Sequence, residues 1–214
     1  MILVTSAYGN QGKRLIPKLA ASGARVRALR AGPGGEAALI ALGAVEAIIG
    51  DASDPAVLER AMAGVESVYH VGPSAHPQER AMGFAVVDAA RTAGVRHVVL
   101  SSVLHPVLRS LIQHELKRDI EEYLIESGLD FTILQPADYM QVLRCRRAFE
   151  TSEFQLAWNV ERRQSVVDVE DIAEVAAKVL LDGPAHYGAT YELSAPGCFT
   201  GHDIGGIIAR VTGR

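Results

Sequence analysis

Cysteine is nearly missing from this chain of 214 residues: Cys145 and Cys198 stand far apart, and neither belongs to a Cys-x-x-Cys pair. Neither a disulfide framework nor a zinc site is therefore signalled, and a reducing cytoplasm is the expected setting. Aromatic side chains make up only 6%, with a single tryptophan. The 21 basic and 25 acidic residues leave a net charge of -4 with no long basic run, so the electrostatic footprint of a nucleic-acid partner is absent. No apolar stretch approaches the roughly 18 residues of a membrane span, and no membrane partner is expected. Met1-Ile2-Leu3-Val4-Thr5 runs straight into a strand pattern, without a basic n-region or cleavage site. What remains, 49% hydrophobic and 21% charged, is the composition of a globular protein, read as a single domain over residues 1–214.

The first half of the chain repeats one rhythm: a short apolar or β-branched run, a glycine or polar break, then ten or more residues at helical spacing. That alternation signals βαβ units and a parallel sheet. It predicts strands at Ile2–Thr5, Arg25–Leu29, Val45–Ile49, Ser67–Val71, His97–Ser101 and Phe131–Leu134. Helices are expected at Gln11–Ala21, Glu36–Leu42, Pro55–Met62, Gln78–Ala93 and Ser110–Ser127. In the last of these Leu111, Ile112, Leu116, Ile120, Tyr123 and Leu124 form one apolar face, and Lys117 falls off that stripe. Beyond Ala137 the rhythm loosens. A helix returns at Val169–Leu181 behind Asp168 as N-cap, followed by a strand at Thr190–Leu193 and a helix at His202–Val211. The expected architecture is α/β, a Rossmann-like doubly wound parallel sheet, with a core over 1–136 and a small substrate-side cap over 137–214.

Thr5-Ser6-Ala7-Tyr8-Gly9-Asn10-Gln11-Gly12 separates the first strand from the first helix. Small residues at three-residue spacing let a dinucleotide pyrophosphate approach the backbone and meet the positive helix end. Gly9 and Gly12 satisfy two of the three positions, and Ser6 stands at the first. A turn that needs glycine for its backbone and binds nothing is the other reading. Ser6, Tyr8, Gly9, Asn10, Gln11 and Gly12 are the candidate cofactor contacts here. At the end of the second strand, Arg25-Val26-Arg27-Ala28-Leu29-Arg30 offers no acid to hold ribose hydroxyls. Arg30 instead suits a 2′-phosphate, so NADP(H) is expected in preference to NAD(H), although a solvated arginine at a strand end is the bland alternative. After the third strand Asp51 and Ala52 could meet the adenine, while Asp54 is better placed than Asp51 to cap the next helix. After the fourth, Val71, Gly72 and Pro73 form a small-residue exit that would pass beneath the cofactor ribose.

Together with this turn, Asp88-Ala89-Ala90-Arg91-Thr92-Ala93-Gly94-Val95-Arg96-His97-Val98-Val99-Leu100-Ser101-Ser102 resembles the NmrA-like branch of the atypical short-chain dehydrogenase/reductase superfamily. Glu126-Ser127-Gly128-Leu129-Asp130-Phe131-Thr132-Ile133-Leu134-Gln135-Pro136 and Val167-Asp168-Val169-Glu170-Asp171-Ile172-Ala173 are similar to further signatures of that family. The resemblance covers essentially the whole chain. It implies a Rossmann-type fold, an NADP site across the strand ends and a substrate cleft beside Pro136–Tyr139. It does not fix a reaction, because one fold hosts many functions.

Catalysis is where the chain departs from the superfamily. Ordinary members place a tyrosine four residues before a lysine that lowers its pKa. The residues four before Lys13, Lys18, Lys117 and Lys178 are Gly9, Arg14, Gln113 and Glu174, so no Tyr-x-x-x-Lys pair exists. Lys117 still stands on the expected helix, and the resemblance implies a role in ribose binding or proton transfer. His114, at i, i+3 from Lys117, could replace the missing acid, or be an ordinary surface histidine. Ser102, His105, Tyr139 and Met140 are expected around the substrate, Tyr139 and Met140 as pocket wall, and Pro136 beside the cofactor. His70 and His76 lack metal spacing, so no metal is assigned.

The leading expectation is an NADP(H)-dependent oxidoreductase acting on a small organic, aromatic or quinone-like molecule. A non-catalytic NADP(H)-sensing regulator is one alternative. Another is a biosynthetic enzyme using the fold for isomerisation, ether cleavage or oxygenation. Because family members generally continue past Val211-Thr212-Gly213-Arg214, the cleft is expected to be open or to be closed by a second subunit of a homodimer.

Overall fold

The computed structural model describes residues 1–74, 76–108, 110–143, 145–156 and 158–213, with Cys145 and Arg146 as backbone alone. Strands and helices alternate as β1 (Ile2–Val4), α1 (Gly12–Ala21), β2 (Val26–Arg30), α2 (Glu36–Ala41), β3 (Glu46–Ile49), α3 (Pro55–Met62), β4 (Ser67–Val71), α4 (Glu79–Thr92), β5 (His97–Ser101), α5 (Ile112–Glu126) and β6 (Asp130–Pro136). The second part adds β7 (Asp138–Tyr139), α6 (Cys145–Thr151), β8 (Val166–Val167), α7 (Val169–Asp182), β9 (Ala189–Leu193) and α8 (Gly201–Thr212). Seven strands form one parallel sheet in the order β3-β2-β1-β4-β5-β6-β9. The chain leaves β1 toward β2 and β3, then returns to lay β4 on the other side. That reversal opens a crevice at the carboxyl ends of β1 and β4, where open α/β sheets bind ligands.

Period-two alternation along β1 assigns its side chains to two cores. Ile2 and Val4 pack with Leu15, Ile16 and Leu19 of α1 and with Ala173 and Ala176 of α7. Leu3 packs on the opposite face with Val57 and Leu58 of α3, Val86 of α4 and Ile120 of α5. Burial of each large side chain contributes roughly 1.5–3 kcal/mol, so these two layers hold the sheet edge rigid beneath the site. Helix ends follow local chemistry. Asp54 and Asp168 accept from Ala56 N and Glu170 N at the starts of α3 and α7, and Thr200 with Asp203 forms a capping box on α8.

Three expectations are corrected. α5 begins at Ile112 rather than Ser110, after Leu111 in extended backbone. β6 runs on to Pro136, because β9 pairs with it from Thr132 to Pro136 and extends the ladder. Lys117, which the periodicity set off the apolar stripe, is only 5% exposed. It shares the buried side of α5 with Ile120, Glu121 and Leu124, at i+3, i+4 and i+7. Within the loosened stretch the chain forms β7 and β8, which pair in parallel as a separate two-stranded sheet, and the short α6. Among the described residues no helix is long and apolar enough to cross a membrane. Cys198 is an exposed thiol, whereas the side chain of Cys145 lies outside the described part.

Candidate functional site

The turn after β1 is closed by its small residues. Ser6 adopts φ +47°, the left-handed region that glycine would enter without strain, and its hydroxyl donates to the Val71 carbonyl at 2.7 Å. That bond ties the turn to the end of β4. A Cβ on Gly12 would lie 2.4 Å from the Ala7 carbonyl oxygen, so only glycine lets α1 start this close to the strand. On Gly9 it would lie 3.0 Å from the Ser6 oxygen. α1 has no side-chain cap, unlike α3, α7 and α8, and no acid in its first turn, unlike α7 and α8. Its amide dipoles therefore face the crevice with no internal anion against them.

Beside this turn sits a cationic corner. The Tyr8 ring lies 3.9 Å from Lys13 Nζ and 4.8 Å from the Arg30 guanidinium carbon. Among the described residues neither cation is paired with a carboxylate. Gly35, at φ +89°, backs Arg30: a Cβ there would meet Nη1 at 2.0 Å. Asn10 is exposed and its carbonyl accepts from Arg14. Asp51 accepts from Ser53 N at 2.8 Å, a backbone bond that holds its carboxyl below the usual range, while Ala52 is half-buried against the α3 side of the core. Of the two acids, Asp54 is the helix cap.

A buried polar cluster supports the ends of β4, β5 and β6. Lys117 Nζ lies 2.9 Å from Glu79 and donates to the Ser101 carbonyl at 3.3 Å. A Cβ on Gly72 would fall 3.3 Å from that ammonium and 3.2 Å from Glu79 Oε1. The chain therefore passes directly over the ion pair before Pro73, whose carbonyl accepts from His76 N. His70 Nδ1 meets the Thr5 hydroxyl at 3.0 Å; burial, reinforced by Lys117, pushes this histidine down to about 3, so it is neutral. Gln135 donates to both oxygens of Glu121, whose carboxyl burial raises above the ordinary range. Ser102 is buried beside this cluster, and its hydroxyl has no hydrogen-bond partner among the described residues.

Gln11 links this cluster to the turn. Tyr69 donates to Gln11 Oε1, and Gln11 Nε2 donates to Ser101 Oγ at 2.9 Å and to the Tyr139 hydroxyl. Burial raises the pKa of both phenols.

Beyond Pro136 opens a cavity of about 920 Å³ whose wall includes Leu108, Leu111, Val142, Leu143 and Trp158 with His105, His114 and Asp138. His114 Nδ1 donates to the His105 carbonyl at 2.9 Å, which leaves Nε2 for the cavity. His105 presents that carbonyl from a left-handed backbone, φ +55°. Burial raises the Asp138 carboxyl, opposed by the nearby His114. Of the expected substrate contacts, His105 stands on the wall, as do Pro136 and His114. Ser102, Tyr139 and Met140 are not among its wall residues: Ser102 is buried, the Tyr139 hydroxyl bonds to Gln11, and Met140 is half-buried at the start of a 3-10 turn. His114 and Lys117, adjacent on α5, have separate surroundings.

The residues present fit a dinucleotide: an uncapped helix end for a pyrophosphate, a cationic corner without its own anion, and small residues where backbone must approach. The NmrA-like family profile matches residues 1–214. The chain belongs to the NmrA-like family. It is 30% identical over 217 residues to an NAD(P)H azoreductase of Xenophilus azovorans, covering all of this chain and 74% of that protein. It is 32% identical over 220 residues to a (4-alkanoyl-5-oxo-2,5-dihydrofuran-3-yl)methyl phosphate reductase of Streptomyces griseus, again covering all of this chain and 74% of the relative. The solved structure of an NADPH-dependent quinone oxidoreductase from Escherichia coli, complexed with NADPH, superimposes with a TM-score of 0.89 at 26% identity, covering all of this chain and 76% of that one.

Sequence reasoning did not single out Glu79, Glu121, Tyr69, Asp138 or Trp158. Glu79 carried a readable signal: it shares the buried α4 stripe with Met82, Val86 and Ala90, and an acid on such a stripe demands a partner. Tyr69 sits mid-strand like any core aromatic, and nothing local marks its hydroxyl as bonded.

Proposed function

We propose that this protein is an NADP(H)-dependent oxidoreductase that reduces a small organic molecule, aromatic or quinone-like, held in the cavity beyond Pro136. The observation that carries the reading is the shared sheet edge. The uncapped α1 turn and the 920 Å³ cavity open side by side, joined by Gln11 and Tyr139. When bound, the dinucleotide supplies the hydride. The named relatives, each a reductase or oxidoreductase using a nicotinamide cofactor or acting as a reductase in name, support the same class of chemistry.

Ser6, Gly9 and Gly12 bring backbone to the pyrophosphate, with Tyr8 and Asn10 at the rim. Arg30 and Lys13 hold the 2′-phosphate, which favours NADP(H) over NAD(H). Asp51 and Ala52 flank the adenine, and Val71, Gly72 and Pro73 pass beneath the ribose with Lys117 fixing their floor. Apolar walls and Trp158 receive the substrate ring, and His114 Nε2 orients its polar edge.

The test is a fluorescence titration with NADPH and NADH, followed by absorbance loss with a panel of quinones. NADPH should bind more tightly than NADH, and Arg30→Ala should remove about tenfold or more of that preference, the worth of one charge-assisted contact. Binding without turnover on any substrate would favour a sensor, and no binding of either nucleotide would end the reading.

A further inference from the structure

With no tyrosine before Lys117, three side chains compete to supply the proton that a hydride-reduced substrate needs. Lys117 is committed: its ammonium is buried against Glu79 and the Ser101 carbonyl. His114 stands on the cavity wall, tied through Nδ1 to the loop of His105. Tyr139 stands where the two halves of the edge meet. Though not a wall residue, it directly follows the wall residues Pro136, Ala137 and Asp138, so its part-open surface adjoins the cavity, and it bonds back to Gln11 of the nucleotide turn.

The polarity of that bond is fixed from below. Tyr69 is fully buried with a proton to place, and its partner is Gln11 Oε1. An amide whose oxygen is taken must present Nε2 on its other side, so Gln11 donates both to Ser101 Oγ and to the Tyr139 oxygen. Neither Gln11 nor Tyr69 can then accept the Tyr139 proton, and the Gln11 amide is set to donate to the phenol oxygen when that proton leaves.

We propose that Tyr139 delivers the proton to the reduced substrate, with Gln11 and Tyr69 as positioning residues; this assignment rests on the reductase reading above. A bound reduced dinucleotide would supply the hydride to a carbonyl carbon of the substrate, leaving the negative charge on the carbonyl oxygen. The Tyr139 O–H bond breaks and the substrate O–H bond forms. The phenolate accepts a hydrogen bond from Gln11 until water returns a proton to it. Two electrons and one hydrogen come from the dinucleotide, and one proton from Tyr139.

The experiment compares the full chain with Tyr139→Phe, Tyr69→Phe and the double variant. Trp158, the single tryptophan, reports quinone binding without nucleotide; turnover and the infrared carbonyl stretch of the bound quinone complete the set. Tyr139→Phe should bind NADPH and quinone almost as the parent does, yet lose about 100-fold in kcat, the usual scale of general acid catalysis. The carbonyl stretch, lowered in the parent by the donated hydrogen bond, should return toward its free value. Tyr69→Phe keeps the Tyr139 hydroxyl but frees the amide; kcat should fall about tenfold, and the double variant should be no worse than Tyr139→Phe, because both act through one bond. Full retention of kcat in Tyr139→Phe overturns the assignment, as does a loss matched by equal losses in both binding constants. A parent protein that binds neither nucleotide overturns the reductase reading, and this assignment with it.

Discussion

At the first βα turn, backbone and side chains are pinned within a few residues of one another. Ser6 bonds to Val71, Gly9 N bonds to the Ser6 carbonyl, and Gly12 leaves no room for a Cβ. The cavity wall is built in the opposite manner, from a loop after β5, a two-residue strand, a 3-10 turn, the short α6 and residues near Trp158. Large apolar side chains of that wall also remain exposed, Leu108 at 45% and Leu111 at 40%. Under the proposed function the difference follows from the ligands each part would meet. A pyrophosphate is read by backbone amides, which demand one fixed geometry. An organic ring is read by apolar surface, which many chain paths can supply.

Lys117 is the strongest test of that contrast, because it supports both parts at once, beneath Gly72 and against the Ser101 carbonyl. Lys117→Met leaves the buried Glu79 without this ammonium and should destabilise the fold by about 3–5 kcal/mol. Thermal melts should show it, and nucleotide and quinone binding should weaken together. If only one of the two is affected, the parts are more independent than their shared ion pair implies.

Acid should strike the nucleotide side. His70 is held down to about 3 against 6.5 when unfolded, so below pH 6.5 the unfolded chain takes a proton that the native one refuses. Stability therefore falls as pH drops from 6.5 toward 3, by about 2 kcal/mol at pH 5 from this group. His97, held down by burial to about 4, adds a loss of the same sign from the start of β5. Urea melts at pH 7 and pH 5 measure the sum, and His70→Gln should flatten the dependence.

Gly12→Ala perturbs the turn alone. Its methyl would collide with the Ala7 backbone, so about 1–3 kcal/mol of stability should be lost with most of the NADPH affinity. Quinone quenching of Trp158 should survive in whatever fraction stays folded. Ser6→Gly is the smallest change: relief of the left-handed backbone, about 1 kcal/mol, nearly cancels the lost bond to Val71. A melt within about 1 kcal/mol of the parent and an unchanged NADPH affinity are expected; a large loss would show that the Ser6 hydroxyl, rather than the turn's shape, holds the site.

The βα rhythm, the two turn glycines, Arg30 at its strand end and the Asp54 and Asp168 caps were all legible in the sequence. Each depends on residues within one turn or one strand of itself, and periodicity and capping act over that range. The burial of Lys117 was misread, because the periodicity set it off the apolar stripe although it shares the buried side of α5 with Ile120, Glu121 and Leu124. Its partner was not legible, since α4 and α5 meet only after β4 and β5 have been laid side by side. Gln11 and Tyr139 are 128 residues apart and touch because the order β3-β2-β1-β4-β5-β6-β9 gathers the ends of β1, β4, β5 and β6 at one edge. The sequence by itself determined the local pieces and the cofactor class they suit. Which phenol stands beside which amide was decided by strand order, because a hydrogen bond between distant residues leaves no period in the chain.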